Sequence, residues 1–181
     1  MSKFEEKTIK TKEIFNGKII KVSVDDVRLP NGETSIRELV KHQGAVAVIA
    51  VTEDKRFIMV EQYRKPLEKA LVEVPAGKLE PNEAPEVTAI RELEEETGFT
   101  TEHLEYVTSF YTTPGFCDEL IYLYYTDKLI PLTEEKALDE DEFLECQSYT
   151  MAELDDLIKR ERIHDLKTMY AVQYLKLRGF D

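Results

Sequence analysis

The chain has no tryptophan, only two cysteines and no basic excess, and each lack removes a class of function. Cys117 and Cys146 are too few for the disulfide framework of a small secreted fold, and neither stands in a zinc-ligand spacing. They read as two free thiols, buried or half-buried. A formal net charge of -13 repels nucleic-acid backbones and anionic lipid, and no basic patch interrupts it, so neither is expected as a partner. No apolar run approaches the roughly 18 residues that suggest a membrane span, so no membrane insertion is expected. The first residues carry acidic side chains and lead into no apolar segment, which speaks against a secretory signal and makes the cytoplasm the expected address.

What is present is a globular composition, 42% hydrophobic and 34% charged over 181 residues. Alternating stretches at 18–29 and 34–40, joined by the turn signal Asn31-Gly32, predict an antiparallel meander. The apolar run 45–51 and its return at 57–64 predict a buried hairpin, and 71–75 a third short strand. A helix is expected from about Glu83 to Thr97, stopped by Gly98, followed by strands at 104–111 and 120–125 around a Thr113-Pro114-Gly115-Phe116 turn. Helical spacing returns at 151–158 and 165–177, with Leu154, Leu157, Ile158, Leu166, Met169, Tyr170, Val172 and Leu175 as apolar stripes. The fold class is α+β, a mixed β-sheet sandwiched by helices. Residues 1–42 form a small N-terminal antiparallel β extension, and 43–181 form the main domain.

The predicted helix at 83–97 carries the chemistry. At 100° per residue, Glu92, Glu95 and Glu96 fall within about 100° of one another, while Ile90, Leu93 and Thr97 lie opposite. Like charges at such spacings repel, so the grouping makes sense when divalent cations neutralise it, and oxygen-only ligands favour Mg2+ or Mn2+ over zinc. On spacing alone, a solvated Glu-rich helix face is the competing reading. The three histidines, His42, His103 and His164, stand in no catalytic pattern and read as surface or strand-end residues.

The whole stretch from Gly77 to Phe99 matches Gly-x5-Glu-x7-Arg-Glu-U-x-Glu-Glu-x-Gly-U, with U bulky and apolar, at every fixed position. The chain thereby resembles the Nudix hydrolases, over a box of 23 residues, with the strand pattern compatible with that fold across most of the rest. The resemblance implies attack of a metal-activated water on phosphorus in a nucleoside diphosphate compound. It implies Glu92, Glu95 and Glu96 as metal ligands, with the Ala76 carbonyl as a further one. Gly77, Glu83, Arg91 and Gly98 occupy the positions that shape and brace the box. Glu94 stands at a variable position and is expected to be only solvated.

Three features outside the box resemble the ADP-ribose pyrophosphatase branch: Pro114, 15 residues after Phe99, with Gly115; the segment around Arg64; and the strand holding Arg37 and Glu38. By that resemblance Arg37, Glu38, Arg64, Pro114 and Gly115 contact a nucleotide-sugar substrate. The N-terminal strands would be exchanged within a homodimer, with Arg37 and Glu38 acting in trans. The general base would come from the acidic loop 138–143, with Glu142 the first candidate and Glu140 the second. The missing tryptophan is a departure, and Phe15 or a tyrosine would have to stack the adenine. Expected products are AMP and ribose 5-phosphate. Alternative substrates are dinucleoside polyphosphates, NADH or oxidised nucleotides, and a remoter alternative is a nucleotide sensor without catalysis.

Overall fold

The computed structural model describes residues 2–134, 136–137 and 143–181. Two units emerge, one formed by Met1–Gly44 with Phe110–Leu120, the other by Ala45–Ser109 with Ile121–Asp181.

In the first unit, strands β1 (Lys7–Asn16), β2 (Ile20–Arg28) and β3 (Thr34–His42) form an antiparallel sheet in that order. The turn between β2 and β3 contains Gly32 at φ 89°, a left-handed conformation that glycine adopts without a Cβ clash. β1 was not foreseen as a separate strand: its ten residues do not alternate polar and apolar types and all ten are exposed, so no buried face marked it. The Pro114-Gly115 turn also belongs here. Val40 donates to the Phe116 carbonyl at 2.8 Å, Asp118 donates to the Val40 carbonyl at 3.3 Å, and the Asp118 carboxylate takes Lys41 Nζ at 2.8 Å and the His42 N–H at 2.9 Å.

The second unit holds most of a mixed sheet of β4 (Ala45–Val51), β5 (Phe57–Arg64), β6 (Lys69–Glu73), β7 (Ala76–Lys78), β9 (Glu105–Tyr111), β10 (Leu120–Thr126) and β12 (Leu144–Tyr149), the last two residues of β9 and the first of β10 being assigned to the first unit. Its main path runs β12-β5-β4-β10-β9, with β6 paired to β5 and β7 to β4; β8 (Phe99–Thr100) and β11 (Ile130–Pro131) pair separately. β4 is central and parallel to β10, which is why six of its seven residues are buried on an unbroken apolar run. Against it packs α1 (Pro85–Thr97), through Ala89 and Leu93 on Val46, Val48, Ala50, Ile58 and Tyr124.

The helix begins two residues later than expected. Pro85 takes the first helical position, where its missing N–H is harmless, and Gly98 ends the helix at φ 72° with its N–H on the Glu94 carbonyl. Helix α2 (Met151–Lys159) opens with a capping box between Thr150 and Glu153. Helix α3 (Leu166–Leu177) opens on Asp165 and buries Thr168, Ala171, Val172 and Leu175. This corrects the expected stripe, because Leu166 and Tyr170 sit one turn apart on the exposed side. No helix among the described residues is long and apolar enough to cross a membrane.

Candidate active site

The turn from β6 into α1 sets the site. Pro75, Ala76 and Gly77 carry the chain along β4, where the Pro75 carbonyl accepts from Val48 and Gly77 pairs with Val46. Gly77 is glycine for a steric reason: a Cβ there would lie 1.9 Å from Cδ of Glu92 and about as close to both its oxygens. The Glu92 carboxylate therefore rests on the Gly77 backbone. Glu96, one turn on, accepts the Ala76 N–H at 2.9 Å. These two glutamates are buried, at 7% and 5% exposure, so the carboxylate face of α1 lies against the turn rather than in solvent.

Arg91 draws the acidic groups together. Its Nη1 lies 2.9 Å from Glu92 and 2.8 Å from Glu95, and its Nη2 lies 3.3 Å from Glu83, which also accepts from the Thr88 hydroxyl. Burial opposes the Arg91 cation, but the Glu92 charge and the bonds to Glu83 and Glu95 outweigh it and raise its pKa. Glu94 departs from expectation: it is ion-paired with Lys136, and this pairing holds its carboxyl below the usual range against the opposing effect of burial.

The residues fit a divalent cation in donor chemistry. Glu92, Glu95, Glu96 and the Ala76 carbonyl offer hard oxygen donors around one turn, and two of the carboxylates already share one cationic nitrogen. Among the described residues no three acidic, imidazole or thiol groups converge to metal-holding geometry, and Arg91 stands between Glu92 and Glu95. A bound cation would have to share the carboxylates with it.

Arg64, at the end of β5, occupies the same unit. Its Nε and Nη2 each lie 2.7 Å from an oxygen of Glu73, a residue that sequence reasoning passed over. The available signal was a carboxylate inside the apolar run 71–74. Arg37, Glu38, Pro114 and Gly115 lie in the first unit. There Arg37 is gripped by both oxygens of Glu6 at 2.8 and 2.6 Å, with its remaining nitrogen on Ser35 and the Ile36 carbonyl. Glu140 and Glu142 lie outside the described residues. Of the thiols, Cys117 is half-buried and Cys146 exposed, which corrects the expectation that both are shielded.

Comparison with known proteins agrees with this architecture. The NUDIX domain family matches residues 41–171, and the nucleoside diphosphate sugar hydrolase N-terminal domain matches residues 6–40. A protein of Bacillus methanolicus named methanol dehydrogenase activator is 58% identical, over 97% of this chain and 95% of its own length. An ADP-ribose pyrophosphatase of Bacillus subtilis is 53% identical, over 98% of this chain and 96% of its own. The crystal structure of an ADP compounds hydrolase superposes with a TM-score of 0.84 over the whole of both chains at 20% identity, a likeness of fold. With an unbroken glutamate box on α1 and a family match across most of its length, the chain belongs to the Nudix family and is one of its hydrolases.

Proposed function

We propose that the chain hydrolyses the diphosphate bond of ADP-ribose, or of a closely related ADP-sugar, to AMP and ribose 5-phosphate, with Mg2+ as its cation and Mn2+ as a substitute. The observation that carries this reading is the seating of Glu92 and Glu96 against the Ala76–Gly77 turn, in a chain 53% identical to an ADP-ribose pyrophosphatase.

Glu92, Glu95, Glu96 and the Ala76 carbonyl would hold the cation, which when bound polarises the phosphoryl oxygens and lowers the pKa of an attacking water. Arg91 keeps the glutamates in register. Arg64 steadies the diphosphate, and Glu142, or Glu140 in its place, takes the proton of the water. The water oxygen joins one phosphorus, the bridging P–O bond breaks, and the other phosphate leaves with the bond's electrons.

We also propose a homodimer built on the N-terminal sheet, in which Arg37 and Glu38 serve the partner's active site. It is supported by the exposure of Ile9, Ile14 and Phe15 on β1 and of Ile36 on β3. Light scattering that finds only monomer at micromolar concentration would overturn it.

The central test is hydrolysis of ADP-ribose with Mg2+, with products resolved by chromatography and Glu96→Gln beside the parent. AMP and ribose 5-phosphate from the parent alone support the reading, whereas a folded parent that leaves ADP-ribose intact removes the substrate. A second reading is favoured by the 58% identical relative, named for activating methanol dehydrogenase. It makes this chain an activator of such a dehydrogenase, tested by adding it to methanol dehydrogenase with and without NADH cleavage monitored.

A further inference from the structure

Four charged side chains, Arg64, Glu73, Asp165 and Lys167, form a network that joins the end of β5, β6 and the start of α3. Glu73 is 1% exposed on β6, between the buried apolar residues Val72 and Val74. Both its oxygens are taken by Arg64, and Oε2 also takes Lys167 Nζ. Lys167 is held in turn by Asp165 at 2.9 Å, whose same oxygen caps α3 through the Thr168 N–H. Burying a carboxylate in an apolar strand is unfavourable, and a buried ionic cluster seldom stabilises a fold more than apolar packing would. Stability alone therefore gives little reason for this arrangement.

The geometry of the guanidinium supplies one. Glu73 occupies the edge formed by Nε and Nη2, so two of the five N–H donors are used and three face away from it. Those three have no acceptor among the described residues, and the Arg64 side chain remains 37% exposed. The Glu73 bond is the chief cause that raises the Arg64 pKa, with burial opposing it, and α1, which carries Glu96, contacts β5, the strand that ends on Arg64.

We infer that Glu73 is a positioning residue: clamped by Lys167 and Asp165, it fixes the Arg64 fork so that its three remaining donors grip the diphosphate beside Glu96. This rests on the proposed cleavage of a nucleoside diphosphate compound. A carboxylate that was free to turn would leave Arg64 with many rotamers, and the grip would have to be ordered anew at each binding event.

The test is a double-mutant cycle on Glu73→Gln and Arg64→Ala, read by calorimetry as affinity for inorganic pyrophosphate with Mg2+, and by kcat and KM for ADP-ribose. Each single variant is expected to weaken pyrophosphate binding roughly tenfold, and the double variant to bind no worse than Arg64→Ala, because residues in one network do not add. Equal losses from Glu73→Gln with and without Arg64 overturn the inference, as does unchanged pyrophosphate affinity in folded Glu73→Gln. Should Glu73→Gln not fold, Lys167→Met takes its place, with a smaller loss that must vanish without Arg64. Coupled pyrophosphate binding in a parent that leaves ADP-ribose intact upholds the positioning role and overturns the substrate.

Discussion

Gly77→Ala is the sharpest perturbation available, because a single methyl enters a space already filled by the Glu92 carboxylate. The added Cβ would lie 1.9 Å from Cδ of Glu92, where ordinary contact begins at 3.4 Å. Either Glu92 retreats by about 1.5 Å or the β7 backbone leaves its pairing with Val46. Metal coordination tolerates about 0.2 Å, so the retreat takes Glu92 out of any shared ligand set. A misplacement near 1 Å removes on the order of 100-fold in rate, and the overpacking itself costs about 1–3 kcal/mol of stability. The assay is kcat/KM for ADP-ribose across a Mg2+ titration, beside a thermal melt. Activity should fall about 100-fold, with more Mg2+ needed for half-maximal rate. Adding Glu92→Asp, one methylene shorter, should regain stability without regaining full activity. Parent-like turnover at low Mg2+ in Gly77→Ala would refute the seating of Glu92 on this turn.

Other consequences are as direct. Glu73 is lowered from 4.5 to about 2, burial being outweighed by Arg64 and Lys167, so its stabilisation is complete above pH 4.5 and is lost as the pH falls toward 2. That stabilisation is on the order of 3 kcal/mol, and urea melts from pH 6 to 3 should show a steeper loss in the parent than in Glu73→Gln; parallel curves would exclude the pairing as its source. Arg91→Ala leaves Glu83, Glu92 and Glu95 without their shared cation, and should cost about 1–3 kcal/mol, partly restored by Mg2+; a melting temperature indifferent to Mg2+ would count against this. Thr150→Ala breaks the capping box of α2 at a cost of about 1 kcal/mol, with turnover unchanged, as chemical denaturation and kinetics together would measure.

The sequence made local features legible and left distant ones hidden. The glutamates at 92, 95 and 96 and the stop at Gly98 follow from helical period and glycine chemistry, which neighbouring residues decide among themselves. β1 escaped because it has no buried face, and β12 because its acidic approach masked the alternation that follows. The stripe on α3 was misjudged because Thr168 and Ala171, small or polar, are buried where Leu166 and Tyr170 are not; packing partners chose the face. Arg64 was visible as an arginine in a strand, but its carboxylate lies on another strand and its clamp on a helix more than a hundred residues away, and no local rule reaches that far.

The Pro114-Gly115 turn is anchored to β3 through Val40 and Asp118, so the N-terminal unit is drawn from two separate stretches of chain. Modularity in this fold is then not a matter of where the chain begins. A chimera that exchanges only residues 1–44 with those of a relative pairs a foreign strand with a resident turn, and the polar groups of Val40, Lys41 and His42 lose matched partners together. Residues 1–44 and 110–120 are one heritable piece, and recombination that respects this joint should yield folded hybrids where a single crossover does not.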